Sequence, residues 1–299
     1  MRGFTGPLLA WYRSEGRKLP WRGKTDDYRI AVSEFMLQQT QVDRVIPLYR
    51  RFLISFPSWR ALARAEPSAV VRAWKGLGYN LRALRLRGLA IEVVGRHRGK
   101  LPDDLEALLA LKGIGPYTAR ALLAFVHRRD VLAPDANVRR VLSRYFLGPG
   151  HDPALIPPKR WERWERRLPP GSGHDVNQTL MDLGATVCRP RKPLCHSCPL
   201  AESCAAFPRI LHIEPKRLPR MKKAVRERLD RDGIPNRIYR GRIVDRLRAG
   251  PVAEAALAEL GRTIRRSFLK KDLPWLEKVI AGLEKDGLVR REKGRFRLA

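Results

Sequence analysis

The chain has 299 residues, 44% of them hydrophobic, which is enough for two or three domains with buried cores and too apolar for a disordered chain. Lys and Arg number 61 against 30 Asp and Glu, a formal charge of +31; a fold gains nothing from such self-repulsion, so the excess points to a polyanion, nucleic acid ahead of an anionic membrane, with a merely solvated Arg-rich surface as the bland alternative. No stretch approaches the length of a membrane span, and Met1 to Trp21 lacks the apolar core of a signal peptide, so a cytosolic protein with no membrane partner is expected.

From residue 5 to 208 the apolar pattern is that of helices joined by short connections, with no run of alternating strands and no internal repeat. Leu19-Pro20-Trp21-Arg22 comes first, then Ser33-Glu34-Phe35-Met36-Leu37-Gln38-Gln39-Thr40-Gln41-Val42. Helical spacing follows over 43–56 and 81–96, with Gly76-Leu77-Gly78-Tyr79 between them. Taken locally, Glu34 is a solvated carboxylate in the first turn of a helix. Gln38, Gln39 and Gln41 are polar surface, and Trp21 and Tyr79 are core aromatics.

Residues 103–111 place Leu105, Leu108 and Leu109 on one helix face, and 116–127 repeat the pattern with Ala119, Leu122, Leu123 and Val126. Between them stands Leu111-Lys112-Gly113-Ile114-Gly115-Pro116-Tyr117-Thr118. Gly113 and Gly115 permit a tight turn and a close backbone approach, and Pro116 suits the first position of the next helix. The amides at such a helix start can hold a phosphate, so the segment reads as a helix-hairpin-helix element that grips a nucleic-acid backbone without reading its sequence. An ordinary turn between helices is the alternative. Asp135, in Pro134-Asp135-Ala136-Asn137, is a good N-cap for the helix after it.

All four cysteines lie between 188 and 204, as Cys188, Cys195, Cys198 and Cys204 in a C-x6-C-x2-C-x5-C pattern. A disulfide framework suits small secreted domains, which this chain is not. Four thiolates so close suit one metal centre. Zinc usually pairs two close C-x-x-C hooks, and only Cys195 and Cys198 form one, whereas the wider arms suit a [4Fe-4S] cluster; both remain open on spacing alone. Residues 209–235 are rich in Lys, Arg and Pro and read as a basic linker, with room for one basic helix. Residues 236–299 regain periodicity: a helix around Ile238, Val244 and Leu247, a second from Ala253 to Leu260, a third from Pro274 to Lys285, then a hairpin over Leu288–Leu298. Three helices and a hairpin make a winged-helix pattern, used for DNA binding or for protein contacts.

Together these segments resemble the helix-hairpin-helix superfamily of DNA glycosylases. The cysteine spacing is similar to that of its endonuclease III family. The hairpin followed about twenty residues later by an aspartate is the superfamily's signature. The 19–22, 33–42 and 76–79 segments, with Asn177-Gln178 and Met181-Asp182-Leu183-Gly184, resemble the adenine-specific mismatch glycosylases (MutY type) over roughly residues 7–208. The resemblance implies a mainly α, two-lobed fold. Residues 1–23 with 131–208 would form the cluster lobe, 24–130 a six-helix lobe carrying the hairpin, and 236–299 a winged-helix-like module. It implies a [4Fe-4S] cluster on the four cysteines, and a monomer acting on double-stranded DNA that contains a mismatch or damaged base.

The same resemblance implies roles. Glu34 would be the general acid and Asp135 the stabiliser of the sugar cation, with Asn137 orienting them and Tyr117 beside the carboxylate. Gln38 and Tyr79 would occupy the emptied duplex, Gln39 would be a further DNA-binding residue, Gly113 and Gly115 would meet the DNA backbone, and Trp21, Arg22 and Gln178 would line the pocket of the extruded base. Strand-cleaving relatives carry a lysine where this chain has Tyr117, which implies base removal without cleavage by a Schiff base. The adenine-specific enzymes usually end in a domain that reads 8-oxoguanine, and 236–299 does not resemble it. Glycosylases of thymine or uracil opposite guanine are therefore an alternative, as is a non-catalytic DNA-binding regulator with a cluster or zinc.

Overall fold

The computed structural model describes residues 2–23, 25–219, 227 and 229–299. Its helices are α1 (Arg2–Glu15), α2 (Asp27–Leu37), α3 (Val42–Ser55), α4 (Trp59–Arg64), α5 (Pro67–Ala73), α6 (Leu81–Arg96) and α7 (Leu105–Ala110). They continue with α8 (Pro116–Phe125), α9 (Ala136–Leu147), α10 (Pro158–Glu165), α11 (Gly173–Thr186), α12 (Asn236–Ala249), α13 (Leu257–Ile264) and α14 (Leu273–Lys285). The strands are β1 (Val252–Ala253), β2 (Val289–Glu292) and β3 (Arg295–Leu298). No helix among the described residues is long and apolar enough to cross a membrane.

Packing divides the chain into two units. Unit 1 comprises Met1–Ile30, Asp103–Ala110 and Ile114–Ala224. Its core gathers Phe4 and Leu8 of α1, Val138, Val141 and Leu142 of α9, Trp161 and Trp164 of α10, and Val176, Leu180 and Leu183 of α11. α8 is buried on nearly every face, through Thr118, Ala119 and Ala121–Phe125, as a helix hydrophobic all round must be.

Unit 2 comprises Ala31–Pro102, Leu111–Gly113 and Val225–Ala299. α3 buries Val45, Tyr49 and Phe52, and α6 buries Leu86, Leu89, Ala90 and Val93, both at the spacing of one helical face. The C-terminal module runs α12, β1, α13, α14, β2, β3, in the order read from its periodicity, with the two-residue β1 as an addition. Its sheet has the order β1-β3-β2, all antiparallel, and Val289 pairs with Leu298. This module does not hang from a linker. Its core of Ile243, Leu247, Leu260, Leu276, Ile280 and Phe296 is continuous with Val71 of α5, and Leu81 and Leu84 of α6 pack against it. Arg248 of α12 completes the join, donating to the Val71 carbonyl at 2.9 Å and to Asn80 Oδ1 at 2.7 Å.

The units differ from the lobes outlined by the sequence in two ways. α7 and α8 fall in unit 1, because α8 packs against α11, and the C-terminal module falls in unit 2. The expected linker also begins with structure. Residues 209–212 form a 3₁₀ turn, and Ile210 and Leu218 make a small apolar cluster with Ala206 against Cys195 and Cys204. Residues 220–226 and 228 of that linker, where a basic helix was expected to have room, lie outside the described residues.

Candidate active site and metal centre

Asp135 follows a non-helical segment, Val131–Pro134, whose backbone is served largely by side chains. Asn177 of α11 accepts from Ala133 N at 2.7 Å and donates to the Val131 and Gly173 carbonyls, each at 2.7 Å. Glu165 accepts from Leu132 N at 2.8 Å, and Arg120 of α8, ion-paired to Glu165, donates to the Leu132 carbonyl at 2.7 Å. These bonds fix the direction in which the chain enters α9.

At that entrance Asp135 is the N-cap: its Oδ1 accepts from Val138 N at 2.6 Å. Its Oδ2 accepts from Asn137 Nδ2 at 3.0 Å, so capping and a side-chain network share one carboxylate. Burial pushes the Asp135 carboxyl above its ordinary value, against the pull of those hydrogen bonds and of the Arg140 charge. Asn137 is oriented in turn by Arg140, which donates to its Oδ1 at 2.7 Å and also to the Gly184 and Cys188 carbonyls at 2.7 and 2.8 Å. Gly184 is required here, since a Cβ on it would lie 2.5 Å from Asn137 Cβ.

Tyr117 stands in the first turn of α8 and is partly buried, and Gln178 is buried in α11. Trp21 is buried too, in the segment that follows α1. Arg22, beside it, has a partner that its motif did not show. Its guanidinium is committed to Asp182, at 2.6 and 2.7 Å, and Arg17 joins the same carboxylate at 2.6 Å through Nε. Asp182 is fully buried. Burial alone would raise its pKa, but the hydrogen bonds and charges of Arg22 and Arg17 hold it below the usual carboxylate range. Arg22 thus clasps residues 17–22 to α11.

In unit 2, Glu34 lies in the second half of α2 and is 7% exposed, so it is neither solvated nor in a first turn. Tyr79, in contrast to a core aromatic, is 48% exposed. Gln38 is half-buried and Gln39 exposed. Gln39 and Tyr79 both have left-handed backbone, with φ of +56° and +44°, a conformation that costs energy in residues other than glycine.

Both segments are held by a residue that motif reading missed. Arg82, buried in α6, donates through one nitrogen to the carbonyls of Phe35, Met36 and Gln38, at 2.8, 3.1 and 2.6 Å. Its other terminal nitrogen reaches Thr40 Oγ1 at 3.2 Å and the Leu77 and Gly78 carbonyls at 3.0 and 3.2 Å. Burial lowers its pKa to about 10. Gly113 has φ +93°, where an L side chain is strained although a Cβ would make only ordinary contacts with Phe35 and Arg85. Gly115 is extended, and a Cβ there would meet nothing within 4 Å. The expected backbone freedom is used at Gly113 only, and any demand for a small residue at Gly115 comes from outside the protein.

The four cysteines are free thiols lining one cavity together with Arg144 and Ile210. Burial raises the Cys195 and Cys204 thiols and pushes Cys198 up to about 12. Among the described residues no three His, Cys, Asp or Glu side chains gather closely enough for one ion. Arg144 donates to the Arg189 and Pro190 carbonyls at 2.7 and 2.8 Å, stiffening the loop between the first two cysteines, and approaches Cys188 Sγ at 3.5 Å.

Residues 32–166 match the family model described as HhH-GPD superfamily base excision DNA repair protein. A protein of Mycolicibacterium smegmatis named adenine DNA glycosylase is 36% identical, over 98% of this chain and 94% of that one. The human adenine DNA glycosylase is 39% identical over 69% of this chain, which spans 40% of the human protein's length. Among solved structures, a thermostable thymine-DNA glycosylase superposes with a TM-score of 0.64 at 30% identity, over 70% of this chain and 96% of that one. The chain therefore belongs to the HhH-GPD superfamily of base excision DNA repair proteins. Within it, the similarity to proteins named adenine DNA glycosylase extends over most of the sequence.

Proposed function

We propose that this protein is a monofunctional DNA glycosylase that removes adenine mispaired with 8-oxoguanine or guanine from double-stranded DNA. The observation that carries this reading is the handling of Asp135, a carboxylate raised by burial and kept in place by Val138, Asn137 and Arg140. A helix cap needs no such network, and a binding protein has no use for it. Similarity to the mycobacterial protein along nearly the whole chain supports adenine as the base.

Cleaving the bond from N9 to C1′ leaves positive charge on the sugar and negative charge on the base. Glu34, sheltered from water in α2, donates a proton to adenine N7 and so makes the base a better leaving group. Asp135 meets the developing sugar cation with its negative charge, and Asn137 keeps the carboxylate aimed. Water completes the substitution. Tyr117 stands where strand-cleaving relatives use an amine, so the reaction ends at the abasic site. Gln178 and Trp21 line the base pocket. Gly113 and Gly115 set the hairpin backbone against phosphates, and Gln38, Gln39 and Tyr79 occupy the gap left by the extruded nucleotide.

Cys188, Cys195, Cys198 and Cys204 fit a [4Fe-4S] cluster. The donor set is purely thiol and lines one cavity. When bound, the cluster serves as a cross-link that holds residues 188–204 in one shape. Purified protein is expected to be brown, with iron and sulfide in equal amounts; colourless protein carrying zinc would overturn this and favour a zinc regulator.

A second reading has one observation behind it, the 30% identity to a thymine-DNA glycosylase structure. Single-turnover reactions on duplexes with A opposite 8-oxoguanine, A opposite G, T opposite G and U opposite G, each with and without alkali, separate the two. Strand breaks on the adenine duplexes that appear only after alkali are expected. Glu34→Gln should release no base while binding DNA as before, and near-normal excision by that variant would remove Glu34 from the mechanism.

A further inference from the structure

Within unit 2 a cavity of about 770 Å³ joins the segments around Gln38 and Tyr79 to the C-terminal module. Gln38, Gln39 and Tyr79 contribute amides and an exposed ring, and α12 contributes Arg237, Arg240 and Arg242. Arg237 is paired with Glu227 and faces the Tyr79 side chain. Arg44 of α3 and Arg85 of α6 also line the space, are exposed, and have no hydrogen-bond or ion-pair partner among the described residues. The two carboxylates present do not offset this charge, because Asp286 is paired with Arg240 and Asp245 with Arg248. The unpartnered guanidinium groups of Arg44 and Arg85, on separate helices, with the arginines of α12 beside them, suit an extended polyanion better than a single phosphate. A tyrosine ring held outward in left-handed backbone, beside amides, suits the bases such a polyanion carries.

We propose that this cavity seats the DNA strand bearing the base opposite the target, so that α12 of the C-terminal module helps hold that strand. The inference rests on the reading above, in which Gln38 and Tyr79 stand beside the partner base. It gives residues 236–299 a part in engaging the opposite strand with a fold unlike the usual reader.

The test uses the full chain on duplexes whose target sugar carries a 2′-fluorine that resists cleavage, with 5-iodouracil placed in one strand at a time. Cross-links to peptides of α12, beside those to Tyr79, are expected from the partner strand. Cross-links to α12 from the target strand alone, or cross-links that never reach α12, would overturn the proposal. As a second arm, Arg237→Gln and Arg44→Gln should each weaken duplex binding about fivefold to tenfold and lower the salt slope by about one. Arg262→Gln, on α13 and outside the cavity, should change binding less than about twofold. Equal losses in all three, or none at Arg237 and Arg44, would show that no strand lies there. Failure of the glycosylase reading would show elsewhere, as no base released from any duplex by the unaltered protein, with these binding measurements intact.

Discussion

Asp135 combines two demands that usually fall on different residues. As a cap it needs only an acceptor, which asparagine supplies equally well. As a stabiliser of positive charge it needs a carboxylate where burial opposes ionisation. Its folded pKa is raised above the ordinary 3.8, so the ionised form costs stability once the pH exceeds the unfolded value. That cost is absent at pH below the unfolded value. Asp135→Asn should therefore eliminate base excision yet melt at the same temperature or higher at neutral pH. The difference should shrink as the pH falls toward that of an ordinary carboxyl. Thermal melts at several pH values, beside single-turnover assays, check both halves. A variant that melts well below the parent at neutral pH would mean that the carboxylate serves the fold.

Motif reading named Glu34 and Asp135 because each lies in a short run whose order is distinctive. It missed what Arg82 does, since one arginine among 61 basic residues carries no local mark. The acceptors of Arg82 come from residues 35–40 and 77–78, and its pairing with the first group, more than 40 positions away, leaves no trace in periodicity. The same blindness explains Arg22. Its place beside Trp21 suggested a pocket, while its partner, Asp182, lies 160 residues away in sequence.

At the scale of elements, α9 and α11 meet where there is room for no side chain at 184. Gly184→Ala should force Asn137 and the first turn of α9 to move, because the new methyl would overlap Asn137 Cβ. The expected result is a loss of about 1–3 kcal/mol of stability from overpacking. The excision rate should fall further than that loss explains, while duplex affinity stays within about twofold, since Asn137 aims Asp135. Near-normal turnover by a folded Gly184→Ala protein would show that this contact does not set the geometry of the carboxylate. The helices on either side were legible from their apolar spacing. The need for glycine between them was not, because it depends on which faces meet.

At the scale of the whole molecule, the charge of +31 is the broadest feature and the earliest to be read. If about six to ten phosphates are neutralised, duplex affinity should fall by three to five powers of ten as salt rises from about 50 to 200 mM. Titrations across that range test it, and a shallow slope would mean that most of the basic surface never touches DNA. The helical class and the order of elements could both be read from the sequence. The grouping of elements into units could not. α8 joins α11 through a nearly all-round apolar surface, and such a surface gives no direction from which to infer its neighbours.

The join between the C-terminal module and α5–α6 restricts how this chain can be cut. Val71, Leu81 and Leu84 are covered by residues more than 150 positions later, and Arg248 satisfies the Val71 carbonyl. A fragment ending before α12 would present those side chains to water as an adhesive patch, prone to aggregation and to chaperone capture. For the same reason, grafting a different C-terminal domain onto this scaffold would demand a new interface as well as a new tether.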